Sequence, residues 1–258
     1  MNYSYNKNFK NIILEKLEKI RNKYVFYRMK ELNIDISEKF QSLLESNEII
    51  ERFMEDLEFI LKKTTMTDFK LLDEYDDVIF EGAQGLLLDQ NNELFFPHLT
   101  RSNTGITNIN SIVNEYCNNF KTNVKDEIIY ITRCYSTRHG PGKFNTELSE
   151  KPYKKIEDIT NITNNYQGSI RFGWLDIDLL SESIKKDIKN KSNNDCISLG
   201  ITCLDQIDDK ENTTYIYKGK IVTSSIDVFL ERIKVLTGIN NLYLSYGNTR
   251  EDIKLNKN

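Results

Sequence analysis

Two spacings of apolar residues divide the chain. Over residues 7–30, Phe9, Ile13, Leu17, Ile20 and Tyr24 recur at three- and four-residue steps with Lys, Glu and Arg between them, the pattern of an amphipathic helix with one apolar stripe. A second such stretch covers about 36–63, with Phe53, Leu57, Ile60 and Leu61 on one side. From residue 77 the pattern changes to short apolar runs. Val78-Ile79-Phe80, Ile128 to Ile131, Cys196 to Leu204 and Leu242 to Leu244 are each expected to be strands. Helical spacing fills the intervals at about 107–120, 175–190 and 225–237, the last capped by Ser225 and ended by Gly238. Strands alternating with helices predict an α/β fold. The expected architecture is a mainly parallel sheet with flanking helices and a helical N-terminal region. Residues 1–70 form that helical region and 71–258 one continuous α/β region. The Lys/Asn-rich stretches 189–195 and 254–258 read as solvated loop and tail.

Composition narrows the functional classes. The chain has 258 residues, 39% hydrophobic and 29% charged, which suits a folded globular protein. Its 35 basic and 39 acidic side chains leave a net charge of -4, so electrostatics give no reason to expect a nucleic-acid partner. A local basic pocket for a small anion remains open. No apolar run approaches the ~18 residues of a membrane span, and the polar start MNYSYNKNFK lacks a secretory apolar core. A cytoplasmic setting is expected, with no membrane partner. Cys117, Cys134, Cys196 and Cys203 show no paired spacing, and His98 and His139 are too few and too separated for a zinc motif. They read as reduced thiols, and no metal-ligating set is expected.

Chemistry is concentrated where the predicted strands end, the place where open α/β sheets bind ligands. Phe80 leads into Glu81-Gly82-Ala83-Gln84-Gly85, where two glycines permit tight turns and Gln84 offers an acceptor and a donor together. Pro97-His98-Leu99-Thr100-Arg101-Ser102-Asn103-Thr104-Gly105 stands just before a helix. It suits a phosphate, and it equally suits ordinary helix capping. Thr137-Arg138-His139-Gly140-Pro141-Gly142 follows a strand, and its His is a candidate base or a plain surface residue. In Gly168-Ser169-Ile170-Arg171, a glycine-flanked arginine beside a serine suits a carboxylate or phosphate. Asp205 can accept the two N–H donors of a guanine edge or simply cap a turn, and Ser245-Tyr246-Gly247 forms a tight turn beyond the last strand.

Taken together and in this order, these motifs resemble the adenylosuccinate synthetase family. Glu81 to Gly85 with Leu88-Asp89, Thr100 with Ser102-Asn103-Thr104, Tyr135 to Arg138 followed by Gly140, Gly142, Phe144 and Thr146-Glu147-Leu148, Gly173 to Asp176, Thr202 with Leu204-Asp205, and Ser245, Gly247 and Arg250 carry the likeness. It spans about residues 78–252, and the helical residues 7–70 fit the family's preceding helical region.

The resemblance implies a ligase that joins IMP and L-aspartate using GTP, through a 6-phosphoryl-IMP intermediate, with Mg2+. By position Gln84 is the catalytic candidate, contacting the IMP base region. Thr100 holds the IMP phosphate, Arg138 lines the nucleotide pocket, and Ser169 and Arg171 lie at the aspartate loop. Asp205, Ser245 and Gly247 read guanine. The family's Gly-Asp-Glu-Gly-Lys-Gly phosphate loop, with its catalytic Asp and magnesium contact, and its catalytic His have no counterpart among these residues. The aspartate loop carries one arginine, Arg171, and Cys203 replaces the usual lysine beside Asp205. The expected fold is therefore truncated relative to the family. The expected partners are an IMP-like nucleotide, an amino acid, an N-terminal chain bearing the phosphate loop, and a second copy in a homodimer. Without the family's first strand, a hydrophobic sheet edge or face is expected to be exposed. The alternatives are a non-catalytic purine-nucleotide-binding paralogue and a truncated remnant.

Overall fold

The computed structural model describes residues 7–64, 68–157, 161–165, 167–189, 196–209 and 211–256. The chain divides into two compact units, Met1–Val78 and Ile79–Asn258.

The first unit is helical. Helix α1 (Lys7–Lys19) passes through one wide π turn, Ile20–Tyr24, into α2 (Val25–Glu31), so the expected single helix is present with a bulge inside it. The second expected helix is two. Ser37 caps α3 (Glu38–Glu45) by accepting from the Phe40 amide, and Ser46-Asn47 breaks the run before α4 (Glu48–Lys63). Arg21 reaches this break and donates to the Ser46 carbonyl and, at 2.9 Å, to Asn47 Oδ1. Met54 is the unit's one buried apolar side chain among the described residues.

The second unit is a mixed α/β structure. After α5 (Thr107–Phe120), strands β1 (Glu127–Arg133) and β2 (Tyr135–Arg138) follow almost without interruption. Strand β3 (Arg171–Asp176) runs into α6 (Ile177–Ile188), whose cap is Asp176, accepting from the amides of Asp178 and Leu179. Then come β4 (Cys196–Thr202), β5 (Asn212–Tyr217), β6 (Lys220–Ser225), α7 (Ile226–Thr237), β7 (Asn241–Ser245) and β8 (Ile253–Asn256). The ends of α7 are those read from the sequence: Ser225 accepts from the Val228 amide, and Gly238 closes the helix at φ 74.

Two four-stranded sheets result. The first has order β1-β4-β7-β8, parallel through β7 and antiparallel at β8. The second has order β2-β3-β5-β6, with only β3 and β5 parallel. One apolar cluster joins them. Tyr130, Leu199, Ile201, Leu242 and Leu244 come from the first sheet, Phe172, Leu175 and Tyr215 from the second, and Ile184, Phe229 and Ile233 from α6 and α7. This burial is the main stabilising force of the unit.

Three local expectations are corrected. Val78-Ile79-Phe80 belongs to no strand, and Ile79 is 91% exposed. Apolar composition alone does not make a strand, because a strand's hydrogen bonds come from a neighbour. Residues 254–256, read as tail, complete β8. Helix α6 begins at Ile177 because Arg171–Asp176 is taken up by the second sheet. The remainder of the Lys/Asn-rich stretches, 190–195 and 257–258, lies outside the described residues.

Candidate functional site

The loop carrying Gln84 and the loop carrying Thr100 are built as one piece. The Thr100 amide donates to the Leu88 carbonyl at 2.8 Å and the Gln90 amide to the Ser102 carbonyl at 3.1 Å. Asp89 locks the far side: one carboxylate oxygen accepts from the Asn91 amide and the other from the Thr104 amide at 2.8 Å. Thr104 Oγ1 then donates to the Gly85 carbonyl at 2.9 Å. Gln84 sits at φ 67 with an exposed side chain. A left-handed backbone at a non-glycine residue costs about 1–3 kcal/mol and concentrates at ligand-binding positions.

Arg138, at the end of β2, ties a third segment to this double loop. Its guanidinium donates to the His98 carbonyl at 3.3 Å and to the Pro141 carbonyl at 3.1 Å, and it lies 5.9 Å from the Phe95 ring centre. None of these partners is an anion. Partial burial, with the Arg171 charge nearby, lowers the Arg138 pKa from its ordinary value. Gly142, at φ 109, is required here because a Cβ would strike both the Arg138 guanidinium and the His98 side chain.

Arg171 faces Arg138 directly across the β2–β3 ladder but is differently employed. It forms a two-pronged ion pair with Glu147, with Nε to Oε1 at 2.7 Å, and donates to the carbonyls of Gly140 and Gly142. The same pairing holds the Glu147 carboxyl below the usual carboxylate range and raises the Arg171 pKa. One of the two guanidiniums is thus neutralised and clamps the 140–142 turn. The other is held by carbonyls and has no counter-ion among the described residues. Ser169 lies exposed near this edge, hydrogen-bonded to Thr163 at 2.8 Å.

Gln84, Thr100, Arg138 and Arg171 are therefore linked through one network of loop contacts. Asp205, Ser245 and Gly247 sit elsewhere in the same unit, beyond the carboxyl ends of the adjacent parallel strands β4 and β7. Asp205 is exposed and makes no hydrogen bond or ion pair among the described residues. Its loop is anchored from below: Cys134 Sγ donates to the Cys203 carbonyl, and Tyr135 donates to Gln206 at 2.6 Å. Burial pushes the Cys134 thiol and the Tyr135 phenol well above their ordinary pKa values, so both stay protonated at neutral pH. Ser245 donates to the Gly247 carbonyl at 2.9 Å, and a Cβ at Gly247 would strike Asp252.

Three contributors escaped the sequence reading. Phe95 and the His98 carbonyl carry no chemical signature, and Asp187 is remote. From α6 it accepts from the Ile106 amide, at the start of α5 and 81 positions away, and from the Tyr130 hydroxyl at 2.8 Å. Among the described residues no group of three His, Cys, Asp or Glu side chains is placed to hold a metal. No helix there is long and apolar enough to cross a membrane.

Comparison with known proteins decides the family. The adenylosuccinate synthetase model matches residues 4–254. The chain belongs to the adenylosuccinate synthetase family. It is 27% identical over 234 residues to the adenylosuccinate synthetase of Thermoplasma volcanium, covering 90% of this chain and 49% of that protein. It is 32% identical over 169 residues to that of Francisella tularensis subsp. mediasiatica, covering 62% of this chain and 36% of that protein. As an adenylosuccinate synthetase family member, this chain spans about half the length, or less, of the curated relatives it matches. The two loops joined by Asp89, the Arg138 turn and the Asp205 loop all fall within the family match.

Proposed function

We propose that this chain supplies the purine-nucleotide-binding part of an adenylosuccinate-synthetase-type ligase. The overall reaction would join IMP and L-aspartate: GTP phosphorylates the IMP 6-oxygen, and the aspartate amine then displaces that phosphate. The observation that carries this reading is Arg138, a partly buried guanidinium held only by carbonyls and a ring face at the junction of three loops. Such a group gains most from a bound anion, since charge-assisted pairs with phosphate are the strong ones.

In this reading Thr100 and Arg138 hold the nucleotide phosphate, and Gln84 presents its amide to the base. Arg171 is a positioning residue that fixes the Gly140–Gly142 turn through Glu147. Ser169 lies where the amino acid approaches. Asp205 accepts the paired N–H donors of guanine, with Ser245 and Gly247 shaping the turn beside it. GTP and Mg2+ belong to the complete reaction. The phosphate loop that would engage them is supplied from outside residues 1–258. The setting is the cytoplasm.

Calorimetry tests the reading. The full chain binds IMP, and Arg138→Ala weakens binding at least about tenfold, the value of one lost charge-assisted contact. With IMP, GTP, aspartate and Mg2+, the chain alone forms no adenylosuccinate. Turnover by the chain alone would overturn the need for an outside phosphate loop. No IMP binding at all would overturn the nucleotide reading.

A further inference from the structure

Helix α5 does not use the caps its own sequence offers. The first amides of a helix have no partner within it, and a Ser, Asn, Asp or Thr just before the start usually accepts from one of them. Ser102, Asn103 and Thr104 stand in that place, yet the helix start at Ile106 carries no such side-chain cap. Two of these side chains are bonded elsewhere. Asn103 Oδ1 accepts from Gln90 and, at 2.9 Å, from Asn91, and Thr104 Oγ1 donates to the Gly85 carbonyl. The acceptor comes instead from α6. Both carboxylate oxygens of Asp187 accept from the Ile106 amide, at 3.3 and 3.2 Å. Gly105 lies against the same carboxylate, where a Cβ would collide with it. The hydroxyl of buried Tyr130 donates to Asp187 at 2.8 Å and fixes its orientation. Burial, and then the Asp187 carboxylate, raise the Tyr130 pKa, so the phenol stays a donor. Asp187 stands in the last turn of α6. That is the unfavourable end of its own helix for an anion, and it meets the favourable end of α5.

We infer that Asp187 is a positioning residue for nucleotide binding: by capping α5 from α6 it fixes Thr104-Gly105-Ile106 and, through them, the turn that carries Gln84. The path is short. Thr104 and Ile106 are both buried, with Gly105 between them, so the segment has little room to shift on its own. One side of it is tied to α6 and β1 through Asp187 and Tyr130. The other side is tied to the double loop, by the Thr104 amide to Asp89 and by Thr104 Oγ1 to the Gly85 carbonyl, next to Gln84 in its left-handed backbone. The remote cap has two consequences. It relieves the loop before α5 of capping duty, so Asn103 and Thr104 can brace the Gln84 loop instead. It also fills the helix start with a carboxylate, at a place that otherwise attracts anions, which leaves the nucleotide phosphate to Thr100 and Arg138. Asp187 acts through the loop rather than by touching the nucleotide. The inference rests on the functional reading above.

The test is calorimetry with IMP on the full chain and its variants, at a temperature where circular dichroism shows each to be folded. Asp187→Ala should weaken IMP binding at least about tenfold, the scale of one lost charge-assisted contact, and should speed hydrogen exchange over 82–89 and 104–107. Asp187→Asn keeps a carbonyl acceptor for the Ile106 amide and should bind within about threefold of the unaltered chain, since Asn caps helices as well as Asp does. Thr237→Val removes a buried acceptor of similar kind at the end of α7, where it serves the Ile239 amide, and should leave IMP binding unchanged. Tyr130→Phe loses only the orienting hydroxyl and should weaken binding about threefold, a neutral hydrogen bond being the smaller loss. Unchanged binding in Asp187→Ala overturns the inference, as does unchanged binding in Tyr130→Phe where Asp187→Ala does not fold. An equal loss in Thr237→Val also overturns it, by reducing the effect to general stability. So does an Asp187→Asn variant as weak as Asp187→Ala, which would rule out the cap. Absent IMP binding by the unaltered chain overturns the functional reading itself, a result distinct from any pattern among the variants.

Discussion

The helical unit and the α/β unit carry apolar stripes of similar regularity, yet they use them differently. In Ile79–Asn258, the stripe of α7 puts Phe229 and Ile233 fully out of solvent against the sheets. In Met1–Val78, Ile20, Tyr24, Phe53 and Ile60 lie on equally clear stripes and each remains about half exposed, with Met54 alone buried among the described residues. Periodicity specifies a helix and its apolar face. It does not specify what covers that face. The same lesson holds within the α/β unit, where β1 is sealed on its core face and open on the other.

The sharpest break in this comparison is a pair of phenylalanine truncations. Phe229, fully buried with its ring 4.9 Å from that of Tyr215, should cost about 3–5 kcal/mol as Phe229→Ala, by lost burial and the cavity left behind. Phe59, 64% exposed on α4, should change stability by no more than about 0.5 kcal/mol as Phe59→Ala. Urea unfolding of both variants measures the contrast. Equal losses would mean that the helical unit is covered as well as the α/β core.

A smaller effect is expected at Asp187. Asp187→Ala leaves the Ile106 amide and the Tyr130 hydroxyl without their acceptor, at about 1.5–3 kcal/mol for hydrogen bonds to a charged group. The loss should appear with faster hydrogen exchange at the start of α5. A stability loss without that local change would place the role of Asp187 elsewhere.

The smallest effect concerns pH. Pairing with Arg171 lowers the Glu147 pKa, so the pair stabilises the fold above the ordinary carboxylate range, about pH 4. That contribution is lost as pH falls through the lower folded value. The melting temperature of Glu147→Gln should therefore lie below that of the unaltered chain at neutral pH, and the gap should close as the pH drops below about 4. A gap that persists unchanged in acid would show that the pair's ionisation is irrelevant.

What could be read from the sequence was mostly local. The cap at Ser225 and the stop at Gly238 depend on groups within a few residues of one another, and both are realised. The β5–β6 hairpin, with Lys218 and Gly219 both at positive φ, carried a turn signal that was not used. Strand β3 was hidden because Arg171-Phe172-Gly173-Trp174 reads as a glycine loop until a neighbour pairs with it. Residues 78–80 failed in the opposite sense, having strand composition without a partner. At the candidate site the roles of Gln84, Thr100 and Arg138 came from the family resemblance alone, while the loops that carry them were visible from their glycines and hydroxyls. The neutralisation of Arg171 was not, since Glu147 lies 24 positions away.

We propose that the loops bearing Gln84, Thr100 and Arg138 form a single nucleotide site. Hydrogen exchange of the full chain with and without IMP tests it most directly. The expected result is slowed exchange in both 82–104 and 136–142, lost together in Arg138→Ala. Protection confined to one of these segments, or appearing only elsewhere in the chain, would contradict it.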